Sequence, residues 1–274
     1  LNSYENTVYQ VGTEAGEPLI AKFYRPGRWS RAQLLEEHRF SLDLQEAEIS
    51  VVARVQDDQG ASLHEYSDFR FALFPRRGGY PPELDNLDNQ LVLGRTLGRI
   101  HALGKSQQFA HRQAISVQRM LAEAREYLLE HFIPRELQPA YESLTADLLR
   151  SVNTIYDEVT DADLIRVHGD CHVGNILWRD DTAHFVDLDD CQSGPAMQDL
   201  WMFLSGERDE MARQMKDLLE GYREFADFDL RELQLIEALR TLRMLHHAAW
   251  LGNRWEDPAF PIAFPWFGEP RYWE

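Results

Sequence analysis

His168-Gly169-Asp170-Cys171-His172-Val173-Gly174-Asn175, followed after a short hairpin pattern by Phe185-Val186-Asp187, is the stretch on which the reading of the whole chain turns. It lies in an irregular segment, 163–190, where β-prone runs at 164–167, 176–178 and 184–186 surround polar loops. An Asp in such a loop can orient a hydroxyl and take its proton. An Asn five positions later can turn back toward a metal ion, and a second Asp at the end of a nearby strand can bridge that ion to phosphates. Phosphoryl transfer asks for these parts, because it is catalysed mainly by positioning and charge stabilisation. Asp170 is therefore the candidate base. Asn175 and Asp187 are the candidate ligands of Mg²⁺, a hard ion that favours oxygen donors and keeps waters for the rest.

Upstream of this stretch, the first 75 residues read as strands with one helix. Runs at 7–11 and 19–24 are β-prone and flank a turn at 12–17. Ser30 and Gln33 form an S-x-x-Q capping box, so a helix is expected over about 34–44. Strand character returns at 49–55 and 69–74, with Asp57-Asp58-Gln59-Gly60 as the turn between them. The ββαββ order, closed by Pro75 and Gly78-Gly79-Tyr80-Pro81-Pro82, predicts a small sheet lobe ending at a hinge. Beyond it, Leu91, Leu93, Leu97 and Ile100 form an apolar stripe at helical spacing. So do Leu121, Ala124, Leu128 and Leu129, and further on Leu235, Leu239, Leu242, Leu245 and Ala249.

The chain of 274 residues carries 28 Lys+Arg against 46 Asp+Glu, a formal charge of −18. Nucleic acids and anionic membranes reward basic surfaces, so neither is expected as a partner. Cys171 and Cys191 are too few for a disulfide framework, which points to a reducing compartment and a cytoplasmic location. No apolar run approaches the length of a membrane span, and no signal peptide is visible. Two competing motifs fail. His168, Cys171 and His172 lack a second cluster at zinc-like spacing. Gly98 to Ser106 has five residues between its glycines where a P-loop needs four, and it follows a helical pattern.

The H-x-D-x-x-x-x-N pattern with its trailing Asp resembles kinases of the aminoglycoside phosphotransferase and protein-kinase fold. Leu1-Asn2-Ser3-Tyr4-Glu5-Asn6, Ala21-Lys22-Phe23-Tyr24-Arg25-Pro26, residues 168–178 and 185–190, Gln198-Asp199-Leu200-Trp201 and Asp257-Pro258-Ala259-Phe260-Pro261 together resemble the bacterial stress response kinase A family. The resemblance spans essentially the whole chain. It implies an α+β, bilobal, protein-kinase-like fold, with a small nucleotide-binding β-sheet lobe and hinge at 1–78 and a large helical catalytic lobe at 79–274. It also implies ATP and Mg²⁺ as cofactors, and serine/threonine hydroxyls of proteins as acceptors in a stress response. By the same resemblance Asp170 and Asp187 are catalytic, Asn175 and Asp187 hold the metal, Lys22 grips the α- and β-phosphates, and Ser3 sits in the phosphate-covering loop.

An ammonium inside an apolar strand needs a buried counter-charge. Glu37 shares a helix face with Phe40 and Leu44 and is the expected partner of Lys22. Adenine is expected against backbone near Phe74, Pro75 and Arg76. Two departures from protein kinases stand out. Leu188-Asp189-Asp190 follows Asp187 where Phe-Gly is usual, and eleven residues between Asp187 and Asp199 leave no room for a long activation segment. A small-molecule kinase acting on an aminoglycoside, choline-like or amino-alcohol hydroxyl therefore stays open beside the protein kinase. So does a nucleotide-binding pseudokinase, although Lys22, Asp170 and Asn175 are intact.

Overall fold

The computed structural model describes residues 5–14, 16–159 and 163–274. The helices run in chain order as α1 (Arg31–Glu46), α2 (Leu87–Lys105), α3 (Ala124–His131), α4 (Gln138–Glu158), α5 (Met197–Leu200), α6 (Arg208–Tyr222), α7 (Leu235–Gly252), α8 (Ala259–Ala263) and α9 (Pro270–Trp273). The described residues pack as two compact units, one formed by those up to 114 with 163–229 and the other by 115–159 with 230–274.

The first unit opens with an antiparallel sheet in the order β1-β2-β4-β3: β1 (Thr7–Thr13), β2 (Gly16–Phe23), β3 (His64–Tyr66) and β4 (Phe69–Pro75). Lys22 lies on the central strand β2, opposite Val8 on β1 and Ala72 on β4. Helix α1 starts where the capping box places it. Ser30 Oγ accepts the Gln33 N–H, and the Gln33 side chain accepts the Ser30 N–H at 2.9 Å. One face of α1 packs with Tyr24, Leu63 and Ala72 through Leu34.

The strand expected at 49–55 is not formed. That segment runs as an irregular extended bridge: Val52 N–H donates to the Phe185 carbonyl, the Phe185 N–H to the Ser50 carbonyl, and Val55 N–H to the Leu73 carbonyl. The apolar residues that suggested a strand are buried by this bridging position. The missing sheet edge is supplied by β3.

The rest of this unit places the chemistry-bearing loops. β5 (Ile165–Val167) pairs with β8 (Gln192–Gly194), and β6 (Ile176–Arg179) pairs with β7 (Thr182–Phe185), both antiparallel. These short ladders hold 168–175 and 186–191 as the loops at their ends. Helix α2 buries Leu93, Leu97, Ile100 and His101. It approaches α6 so closely that a Cβ on Gly94 would collide with the Leu218 carbonyl.

In the second unit a π-helical turn, Gln118–Glu123, runs into α3, which packs with α4 and α7. Its core gathers Leu128, Ala249, Leu251, Phe260 and Phe267, with Trp250, Trp255 and Trp273 against it. Trp250, Trp255 and Trp273 are thus packed structure. Among the described residues no helix is long and apolar enough to cross a membrane.

Candidate active site

The loop 168–175 is fixed from below by one buried carboxylate. Asp199 accepts the backbone N–H of His168 at 2.6 Å and of Gly169 at 2.9 Å. His101 Nε2 lies 3.0 Å from the same carboxylate, and its Nδ1 lies 3.0 Å from the Tyr222 hydroxyl, so the imidazole donates to Asp199 and accepts from the phenol. Gly169 must be glycine. Its φ is +86°, and a Cβ would collide with the Asp190 carbonyl oxygen. His168 donates from Nε2 to the Val186 carbonyl at 2.8 Å, which ties this loop to the strand end carrying Asp187.

Within the loop, the Asp170 carbonyl accepts from the Asn175 side-chain amide at 2.9 Å, which turns the amide oxygen of Asn175 away from that carbonyl. The Asn175 carbonyl in turn accepts the Val186 N–H at 3.0 Å, one residue before Asp187. His172 Nδ1 accepts the Gly174 N–H at 3.0 Å, so its proton resides on Nε2, 3.6 Å from Asp170 Oδ2. Asp187 adopts the left-handed conformation, φ 61° and ψ 58°, which costs an L-residue about 1 kcal/mol and is met at strained functional positions.

Lys22 reaches this end of the loop from β2. Its Nζ lies 2.6 Å from Asp187 Oδ1 and 2.6 Å from Asp189 Oδ1. Burial by itself lowers the pKa of Lys22, but Asp189 and Asp187 outweigh it and the ammonium stands above its ordinary value. Burial works against the Asp189 carboxylate as well, yet Lys22, Arg28 and Arg54 hold it well below the usual range. Asp190 accepts from Arg28 Nη2 at 2.6 Å. Its pKa is raised nonetheless, by burial first and then by Asp170, Asp189 and Asp187, against the pull of Arg28.

The expected pairing of Lys22 with Glu37 is corrected. Glu37 is fully buried, as its helix face predicts, but it pairs with Arg54 and with Arg112, whose Nη2 lies 3.4 Å away. Each guanidinium meets one oxygen of the carboxylate, Arg54 at Oε1 and Arg112 at Oε2. Arg112 is spanned between elements: Nε donates to the Gln33 carbonyl at 2.9 Å, Nη1 to the Asp189 carbonyl at 2.5 Å, and its guanidinium lies 4.2 Å from the Trp29 ring centre. Glu36, the preceding residue on α1, accepts the backbone N–H groups of 110–112. Ser3 lies outside the described residues.

Above Asp187 opens a cleft of about 300 Å³, walled by Val8, Ile20, Val52 and Phe74 with Leu177 and Val186, and rimmed by Pro75 and Arg77. Lys22 and Asp187 form its polar end. Apolar walls with an ammonium and a carboxylate among them suit an aromatic base carrying phosphates. The donor set also suits a hard divalent ion. Asp187 offers a half-exposed carboxylate that already holds a cationic group, and Asn175 offers a neutral amide oxygen. Cys171 and Cys191 are both buried and unbridged, and burial pushes their thiols up, Cys191 to about 12, so both remain protonated.

Asp189, Arg54, Arg112 and Arg28 escaped the sequence reading. The available signal was Leu188-Asp189-Asp190 itself: carboxylates directly after an interior strand require cations nearby, even where the sequence does not say which.

The profile of the phosphotransferase enzyme family matches residues 1–255. Stress response kinase A of Escherichia coli (strain K12) is 46% identical over 274 residues, covering 100% of this chain and 82% of that protein. Serine/threonine protein kinase RdoA of Salmonella typhimurium is 43% identical over 275 residues, covering 100% and 83%. Among solved structures, amicoumacin kinase hAmiN in complex with AMP-PNP, Ca²⁺ and Ami superposes with a TM-score of 0.74 at 21% identity, over 98% of this chain and 85% of that one. The α+β fold expected from the sequence, a small sheet lobe with a larger helical part, is the fold of these kinases.

Proposed function

The chain belongs to the phosphotransferase enzyme family and within it to the stress response kinase A group, and from that premise we propose that it transfers the γ-phosphate of Mg-ATP to serine and threonine hydroxyls of proteins. One observation carries the reading: Lys22 and Asp187 meet at the polar end of an apolar cleft, and the loop bearing Asp170 is hydrogen-bonded to the strand end that bears Asp187. Residues 1–78 act as the lobe that covers the nucleotide, with the hinge near 75–79, and residues 79–274 carry the catalytic loop.

In this reading the adenine lies between Val8, Ile20 and Val52 on one side and Leu177 and Val186 on the other. Lys22 binds the α- and β-phosphates. Asn175 and Asp187 hold Mg²⁺, which when bound neutralises phosphate charge. Asp170 orients the acceptor hydroxyl and takes its proton, with the His172 Nε2–H beside it. A cytoplasmic location, where ATP is at hand and thiols stay reduced, accords with two buried free cysteines.

A second reading keeps the chemistry and changes the acceptor to a small aminoglycoside, choline-like or amino-alcohol hydroxyl. It is favoured by the likeness of fold to an amicoumacin kinase and by the short segment between Asp187 and Asp199. The test is incubation with γ-labelled Mg-ATP alone, with generic proteins, and with a panel of small alcohols and aminoglycosides. Label on its own Ser/Thr residues or on added protein supports the first reading. Label only on a small alcohol supports the second. Nucleotide binding with no transfer to any of them overturns both.

A further inference from the structure

Lys22 has two carboxylate partners at the same distance, and their surroundings differ. Asp187 is 48% exposed in its side chain and faces the cleft, whereas Asp189 is 3% exposed. The second oxygen of Asp189 accepts from Asn6 Nδ2 at 2.6 Å, Arg28 and Arg54 stand 3.9 Å from its carboxylate, and its own carbonyl accepts from Arg112. A ligand in the cleft can take Asp187 from Lys22 at little cost, because water and the ligand replace what is lost. Removing Asp189 from Lys22 would strand a buried charge. Glu37, meanwhile, is committed to two guanidiniums, one of which also grips the backbone of Asp189.

We propose that Asp189, and not the carboxylate on α1, is the positioning residue that keeps Lys22 aimed at the nucleotide phosphates, with Glu37 acting behind it through Arg54 and Arg112. The proposal deepens the kinase reading and rests on it. When nucleotide and metal bind, Asp187 changes partner, Lys22 stays on Asp189, and Glu37 stays on its arginines.

The test measures binding of Mg-AMP-PNP and of adenosine by calorimetry to wild type, Asp189→Asn and Asp189→Glu, together with KM and kcat. Asp189→Asn binds Mg-AMP-PNP roughly ten- to a hundredfold more weakly while binding adenosine like wild type, because only the phosphate grip is lost. KM for ATP rises by more than kcat falls, and Asp189→Glu recovers part of the loss. A merely structural residue would lower the folded fraction and leave the two affinities in their wild-type ratio. Wild-type affinity of Asp189→Asn for Mg-AMP-PNP overturns the proposal. Should the variants fail to fold, a crystal structure of the wild-type complex with Mg-AMP-PNP decides: Lys22 on Asp189 supports the proposal, and Lys22 transferred to Glu37 overturns it. A wild-type protein that binds no nucleotide refutes the kinase reading itself, a result distinct from either.

Discussion

His168 and Asp199 are joined by a 2.6 Å hydrogen bond from the backbone of one to the buried side chain of the other, and Gly169 donates to the second oxygen of the same carboxylate. The 168–175 loop thus gets its shape from a residue thirty positions away that touches no reacting atom.

Replacing Asp199 by Asn turns one acceptor into a donor facing an N–H. The expected cost is about 2–4 kcal/mol of stability. Displacement of the loop by about 1 Å should also lower kcat about a hundredfold. The walls of the cleft are untouched, so the ATP affinity of the folded protein should hold. Urea titration, steady-state kinetics and nucleotide binding on one preparation check all three.

Asp170→Asn should leave the fold intact, because the side chain is partly exposed and its neighbour Asp190 loses a repulsive charge. Transfer should fall by about two to four orders of magnitude, the usual worth of a general base. Near-normal turnover in this variant would remove Asp170 from that role.

Gly169→Ala places a methyl group against the Asp190 carbonyl at a φ of +86°. A loss of about 1–3 kcal/mol is expected from backbone strain. Thermal unfolding should register it, and kcat should drop with it because the same shift moves Asp170.

His38 is buried between the Tyr24 hydroxyl, 2.8 Å from Nε2, and the Ser62 hydroxyl, 2.9 Å from Nδ1. Burial is the main reason its pKa is lowered to about 3; Asp189 pulls the other way, while Arg112, Lys22 and His64 add to the lowering. The unfolded chain takes up this proton near pH 6.5 and the native protein refuses it until about pH 3. Stability is therefore lost as pH falls through that window, by about 2 kcal/mol at pH 5 from this residue. His38→Gln should flatten the pH dependence of unfolding between pH 6.5 and 5, measured by denaturant titration.

The motif at 168–175 with Asp187 was legible because phosphoryl chemistry fixes both residue types and spacing. The helices were legible because Leu93, Leu97 and Ile100 repeat at helical period and Ser30 with Gln33 marks a start. The segment 49–55 was misread because a bridging strand-like run and a true sheet strand bury the same apolar residues. The partners of Lys22 were not legible at all. Lys22 and Asp187 lie 165 positions apart, and no local pattern records which buried carboxylate meets which buried cation.

Many kinases are switched by swinging the helix that corresponds to α1, which makes or breaks a single ion pair. Here such a swing would tear Glu37 from two arginines and Arg112 from the Asp189 carbonyl, leaving several charges stranded in a dry interior. An enzyme built this way has no inexpensive resting posture of that helix.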